Sequence, residues 1–297
     1  MAEGMTGSTV PRRQLGRNLK ALRNKAHLTV RAAAVELEWS EAKMWRIETG
    51  QTPLRSLDVQ AMCFVYGAPP DLTKALMDLA KETKARGWWQ AYGEAMPEGF
   101  DIYVGLEEAA VSQCVYESDL VPGPLQTEGY AREVIRTHIP DLDEASLEGR
   151  VRLRIARQTL LSRSIDAPEL RIALSEAVIR RPVGGREVMA HQLAHLVYVS
   201  GLANISLRVT PFAVGTNVGM VTGPFIILRF PVNGDGAAVE PPTVYADGYT
   251  GGLYLDKERE VGQYDNAFHH IWNASLDEEA SRRLISEAAG SYEGARG

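Results

Sequence analysis

Between Leu15 and Leu79, apolar residues return every third or fourth position, in short bursts separated by residues that start or stop helices. Leu15, Leu19 and Leu22 fall at i, i+4 and i+7 and mark one stripe of a first helix. Thr29 is placed to cap a second helix holding Ala33, Ala34 and Leu37. Ser40 is placed to cap a third, with Met44 and Ile47 turned inward and Gly50 as its stop. Ser56 is expected to cap a fourth helix through Val59, Met62, Cys63 and Tyr66, and Pro69-Pro70-Asp71 opens a fifth that ends near Arg86. Five short helices in about 75 residues imply a compact all-α domain.

The rest of the chain reads differently. The 297 residues suit two domains at roughly 100–200 residues each. Residues 1–10 look like a disordered lead-in, residues 11–86 form the helical head, and residues 87–297 form a larger body. Trp88, Trp89 and Tyr92 are expected to lock head to body or to make a satellite core. A helix is expected from near Val104 to Tyr116, and a long amphipathic helix over 144–163. Then "ELRIALS" and "ISLRVTP" read as strands flanking a helix, a unit that favours a parallel pair. "GPFIILRFP", "PTVYADG" and "GGLYLD" read as three more strands, and two helices close the chain. The body is thus α+β, with α/β as the alternative.

Charge is divided along the same line. The whole chain carries −6, yet residues 1–86 hold 14 basic against 9 acidic residues and residues 87–297 hold 18 against 29. A basic head on an acidic body suits a head that meets a polyanion. No apolar run approaches the ~18 residues of a membrane span, and the polar start lacks a signal-peptide core. Cys63 and Cys114 are too few for a disulfide framework and are expected as reduced thiols in the cytoplasm, on the nucleoid when the protein is bound to DNA.

The second and third helices, joined by a short turn at Glu38-Trp39, have the spacing of a helix-turn-helix. The third would enter the major groove, with a basic stripe of Arg13, Arg17 and Lys20 on the first helix and the start of the second facing phosphates. The stretch "LGRNLKALRNKAHLTVRAAAVELEWSEAKMWRIETGQTPLRSLDVQAMCFVYG" resembles the lambda-Cro-like (XRE) helix-turn-helix family. Leu28-Thr29, Ala33-Ala34, Ser40, Met44, Arg46-Ile47-Glu48 and Gly50 carry that resemblance. It implies that Glu41, Ala42, Lys43 and Arg46 face bases, and that Thr29, Arg31, Gln51 and Thr52 touch phosphates. Members of that family usually carry Gly in the turn where this chain has Glu38; a positive φ there would cost a Glu roughly 1 kcal/mol. Trp45 is expected either in core or rim packing or in contact with a base.

The body resembles the domain that follows this head in the actinobacterial WhiJ-like, antitoxin-like regulators. "ARGWWQAYGEAMPEGFDIYVGLEEAA", "YESDLVPGPLQTEGYAREVI", "RVRLRIARQTLL", "SEAVIRRPVGG" and "GPFIILRFP" carry this likeness. It implies a transcriptional regulator of double-stranded DNA, often paired with a small acidic partner protein, and no catalytic activity. The alternative is an antitoxin-like protein that mainly sequesters such a partner and binds DNA for autoregulation. Two half-sites per operator lead us to expect a homodimer.

Chemistry in the body is thinly signalled. His191 and His195 lie at i, i+4, but Gln192 stands between them where a zinc-protease helix carries Glu, so core or surface histidines are expected, with no metal and no cofactor. His269-His270 and Glu107-Glu108 are sequence neighbours that do not converge. Arg180, Arg181, Gly184, Gly185 and Arg186 surround a helix start and could hold an anionic effector; a strand-to-helix turn with solvated arginines is the plainer reading.

Overall fold

The computed structural model describes residues 9–84, 87–97, 99–163, 167–232, 238–249 and 251–293. It places an all-α helical bundle first and a mixed α+β domain after it, as the sequence implies. Two compact units result. The first gathers residues 1–91 with two later segments, 101–109 and 232–240; the second comprises residues 92–100, 110–231 and 241–297. Of the expected disordered lead-in, residues 1–8 lie outside the described residues, while Thr9 and Val10 already belong to a helix.

In the first unit, α1 (Thr9–Lys25), α2 (Val30–Glu36), α3 (Glu41–Glu48), α4 (Ser56–Val65) and α5 (Pro70–Glu82) enclose one core. Leu15, Leu19, Met44, Val59, Met62 and Cys63 are buried in it. Thr29 and Ser40 cap as expected, accepting from Ala32 N and Lys43 N at 3.1 Å each. Ser56 does not cap α4: Arg55 stands at that position, and the Ser56 hydroxyl donates to the Met77 carbonyl of α5 instead. Ser56 is already the first residue of the helix, one position past the cap, where its oxygen is not placed to accept from the open amides.

Four successive helix ends use the same device. After α1, α2, α3 and α4 the chain turns left-handed at His27 (φ 56°), Glu38 (φ 55°), Gly50 (φ 76°) and Gly67 (φ 66°). Each time the following amide donates to the carbonyl five residues back, as Trp39 N does to Ala34 O at 2.8 Å and Gln51 N to Arg46 O at 2.8 Å. This six-to-one bond satisfies carbonyls the helix leaves open. Only two of the four positions carry the residue suited to positive φ.

Charged pairs lock the bundle. Arg23, on α1, donates from Nε and Nη2 to both carboxylate oxygens of Glu48 on α3, at 2.6 and 2.8 Å, and from Nη1 to Leu28 O. Nearby, a Cβ on Gly16 would stand 2.5 Å from Ile47 O, so α1 and α3 touch backbone to backbone. At the other end of α1, Arg13 and Arg17 converge on Glu240, whose carboxylate is 0% exposed. Arg13 Nε donates at 2.7 Å, and Arg17 Nη1 and Nη2 donate to the two oxygens at 2.6 and 2.7 Å. The unit also takes in most of α6 (Phe100–Ala109), where Trp89 packs in the space left by Gly87 and Gly105 as a satellite core.

The second unit is built on a six-stranded sheet, in the order β3-β2-β1-β4-β5-β6: β1 (Ser112–Glu117), β2 (Glu169–Ser175), β3 (Ile205–Thr210), β4 (Phe225–Arg229), β5 (Thr243–Gly248) and β6 (Gly251–Leu255). The first three are parallel and the last three join antiparallel. The expected β2–β3 parallel pair is therefore present. The helix expected from Val104 to Tyr116 is not: α6 stops at Ala109, and Ser112–Glu117 is a central strand. Its four inner residues are buried, as a strand flanked on both edges and covered on both faces requires. Helices α7 (Glu128–His138), α8 (Glu144–Ala156), α9 (Glu176–Arg180), α10 (Gly185–Val199), α11 (Gly219–Thr222), α12 (Glu258–Ala274) and α13 (Glu278–Glu293) complete the unit. The helix expected over 144–163 ends at Ala156 and continues as a 3₁₀ turn. Leu193 of α10 and Ile285 of α13 cover the sheet face bearing Val115 and Ile172, and Phe268, Ile271 and Trp272 of α12 cover the face bearing Tyr116 and Phe225.

Two outcomes are expected. Glu38→Gly, and likewise His27→Gly, should raise stability by about 1 kcal/mol, since an L side chain at positive φ is strained and Gly is not. Glu240→Ala should lower it by about 3 kcal/mol or more, because a buried guanidinium loses its counter-charge. Urea denaturation of the full chain, followed by circular dichroism, measures both.

Candidate nucleic-acid interface

The α2–turn–α3 segment presents one side outward. Met44, Ile47 and Glu48 of α3 are buried, while Glu41, Ala42, Trp45 and Arg46 are exposed. Positions i, i+1, i+4 and i+5 make one continuous strip on a helix. Trp45 is 56% exposed, so it belongs to that outward strip and not to the core. Its carbonyl accepts from Thr49 Oγ1 at 2.8 Å, which closes the last turn of the helix. Lys43 is partly covered, its ammonium lying 3.4 Å from the centroid of the Trp39 ring. That cation–π contact holds the charge beside the strip until a better acceptor competes for it.

Around this strip the sequence-expected phosphate contacts divide. Thr29 and Arg31, at the start of α2, are exposed, as is Lys20 on α1; Gln51 and Thr52, after α3, are half-buried. Arg13 and Arg17 are placed differently from the rest of the expected stripe. Both are engaged with Glu240 inside the first unit, and Arg13 is buried. Sequence spacing put Arg13, Arg17 and Lys20 on one helix face, but a carboxylate more than 200 residues away takes two of them.

In the second unit the arginines of the 180–186 segment each have their own partner. Arg180 Nε donates to Glu176 at 3.2 Å, Arg181 to Asp119 at 2.7 Å, and Arg186 to the carbonyls of Ser291 and Tyr292. Gly184 (φ 67°) and Gly185 (φ 85°) shape the entry to α10. An anion seated there would have to displace these partners. His191 is exposed; His195 is half-buried, and burial lowers its pKa. Between them Gln192 is buried, accepting from Thr127 N at 2.7 Å and donating to Leu125 O, so its amide ties α10 to the turn before α7. Among the described residues, no group of three or more His, Cys, Asp or Glu side chains could hold a metal ion.

One feature of the body escaped the sequence. Glu117, at the carboxyl end of β1, has its pKa pushed up to about 8 by burial, then by Asp247 and Asp119, against the opposing pull of Arg154. Glu117 ends β1, between a parallel β2 and an antiparallel β4, and that placement is set by strand pairing, which spacing along the chain does not show.

No helix among the described residues is long and apolar enough to cross a membrane. No match to the chain was found among curated proteins or among solved structures. Two family models do match. Residues 14–76 match a helix-turn-helix domain, the segment that holds the outward strip of α3. Residues 100–287, well over half of the chain, match a domain of unknown function (DUF5753). The helix-turn-helix supports a general DNA-binding regulatory role, and by its longer match the chain belongs to the DUF5753 family.

Proposed function

We propose that this protein is a sequence-specific transcriptional regulator of the lambda-Cro-like (XRE) class, in the WhiJ-like, antitoxin-like group of actinobacteria. It acts in the cytoplasm as a homodimer on double-stranded DNA. Its second unit receives a signal from a partner protein, a small acidic one by the group resemblance, or from a small molecule. The observation that carries this reading is the outward strip of α3, whose opposite face is wholly buried and whose ends are both capped. A single helix of this kind fits the major groove of B-form DNA.

The residues divide by task. Arg46 can bond a guanine edge through two donors, Glu41 can accept from a cytosine amine, and Ala42 offers a small contact for a thymine methyl. Lys43 reaches the groove by leaving Trp39. Lys20, Thr29, Arg31, Gln51 and Thr52 hold phosphates and fix register without reading sequence. Arg13 and Arg17 serve as anchors for Glu240 instead, and Glu240 lies in the stretch of chain, 230–242, that joins β4 to β5. A signal that alters the β4–β5 connection has, through that covalent path, a route to α1. This supports placing the sensing role in the second unit.

Selection of bound sites from random DNA, followed by titration of the chosen site, tests the reading. Lys43→Ala with Arg46→Ala should weaken specific binding by about 10-fold to 100-fold, at roughly 1–3 kcal/mol for a good base contact, with the helical circular dichroism unchanged. Lys20→Ala and Arg31→Ala should each flatten the slope of log affinity against log salt by about 1 while leaving sequence preference intact. Unaltered affinity in the Lys43, Arg46 double variant would remove α3 as the reading helix.

A further inference from the structure

Helix α4 is apolar on both sides, and only one side is covered. Val59, Met62 and Cys63 face the core and are 0% exposed. On the opposite side, Leu57, Ala61 and Phe64 lie at i, i+4 and i+7, one straight ridge. Leu57 is 72% exposed and Phe64 is 88% exposed. A helix with apolar residues all round is normally buried all round. Beside the ridge, α4 and α5 leave a shallow open hollow of about 450 Å³, bordered by Gln60, Phe64, Ala68, Pro70 and Met77.

We infer that this ridge and hollow form the interface through which two copies of the chain associate. A two-fold contact needs a surface complementary to itself, because each patch meets the same patch turned over. The α4–α5 face has both halves of such a match: a projecting Phe64 and, next to it, a hollow that Ala68 and Met77 line. Its charges also complement themselves. Asp71, Lys74, Asp78 and Lys81 lie on one exposed side of α5, with Lys81 paired to Asp78 at 2.6 Å, so the patch carries no net charge. That balance disfavours DNA, which wants a basic patch, and equally disfavours a strongly acidic partner. It suits a second copy, whose Lys74 meets the first copy's Asp71. The position also fits the use. The α4 ridge begins nine residues after Glu48, the last residue of α3, and paired half-sites demand two copies of that helix.

This inference rests on the DNA-binding reading for its purpose, though not for its test. Sedimentation velocity of the full chain without DNA, across roughly 0.5–50 μM, should give the mass of two copies for the wild type. Phe64→Glu and Leu57→Glu should each raise the dissociation constant by at least about 100-fold, while Phe64→Leu keeps the pair. Both side chains are exposed, and circular dichroism checks the fold of each variant. A wild type of single-copy mass throughout this range, or a Phe64→Glu variant as dimeric as the wild type, overturns the interface. DNA titration separates the two readings. A monomeric Phe64→Glu variant that still binds a half-site, and loses the advantage of a two-fold site, supports both. A wild type that pairs through Phe64 yet binds no DNA sustains the interface and defeats the DNA-binding reading.

Discussion

The Glu240 carboxylate, held by Arg13 and Arg17, is the contact on which the arrangement of the head depends most. It is fully buried and meets three donors at 2.6–2.7 Å. A buried charge is tolerated only when paired this completely, and removing either side leaves the other stranded. With Arg23 and Glu48 at the far end, α1 is fastened by arginine–carboxylate contacts near both of its termini. Helix α3 is then positioned by what grips α1, through the backbone contact at Gly16 that sets the spacing of α1 and α3.

Much of the head was legible because its signals are local. Caps at Thr29 and Ser40, the stop at Gly50 and the 3.6-residue spacing of Leu15, Leu19, Met44 and Ile47 each need only a few neighbours to work. The strain at Glu38 was legible too, as a conditional: if the turn needs positive φ, the residue there is the wrong type. His27 gave no such warning, since nothing in its surroundings distinguishes a left-handed His from an ordinary one until the Leu28 amide is seen bonding back to Arg23.

What remained hidden is non-local. Ser112–Glu117 follows a helix closely and has no turn residues before it, so its strand character emerges only from pairing with β2 and β4. Arg13 and Arg17 looked like a phosphate-facing stripe because helical geometry aligns them, while the carboxylate that claims them lies beyond the reach of any periodicity argument. Of the candidate interface, the outward residues of α3 were named by family resemblance; that Trp45 joins them, and that Lys43 rests on Trp39, required coordinates.

A head assembled from three separated pieces of chain has a history as well as a shape. The ribosome delivers Arg17 long before Glu240, 223 residues later, an interval of roughly 10–45 s at ordinary rates of synthesis. During that time α1 carries two neighbouring guanidiniums without their shared carboxylate. The bundle reaches its final ion pairing only once strand β4 and the segment beyond it have been made. A chain broken off before residue 240 thus keeps all of α3 but lacks the carboxylate that fastens one end of α1, so completeness of the polypeptide is itself written into the stability of the head.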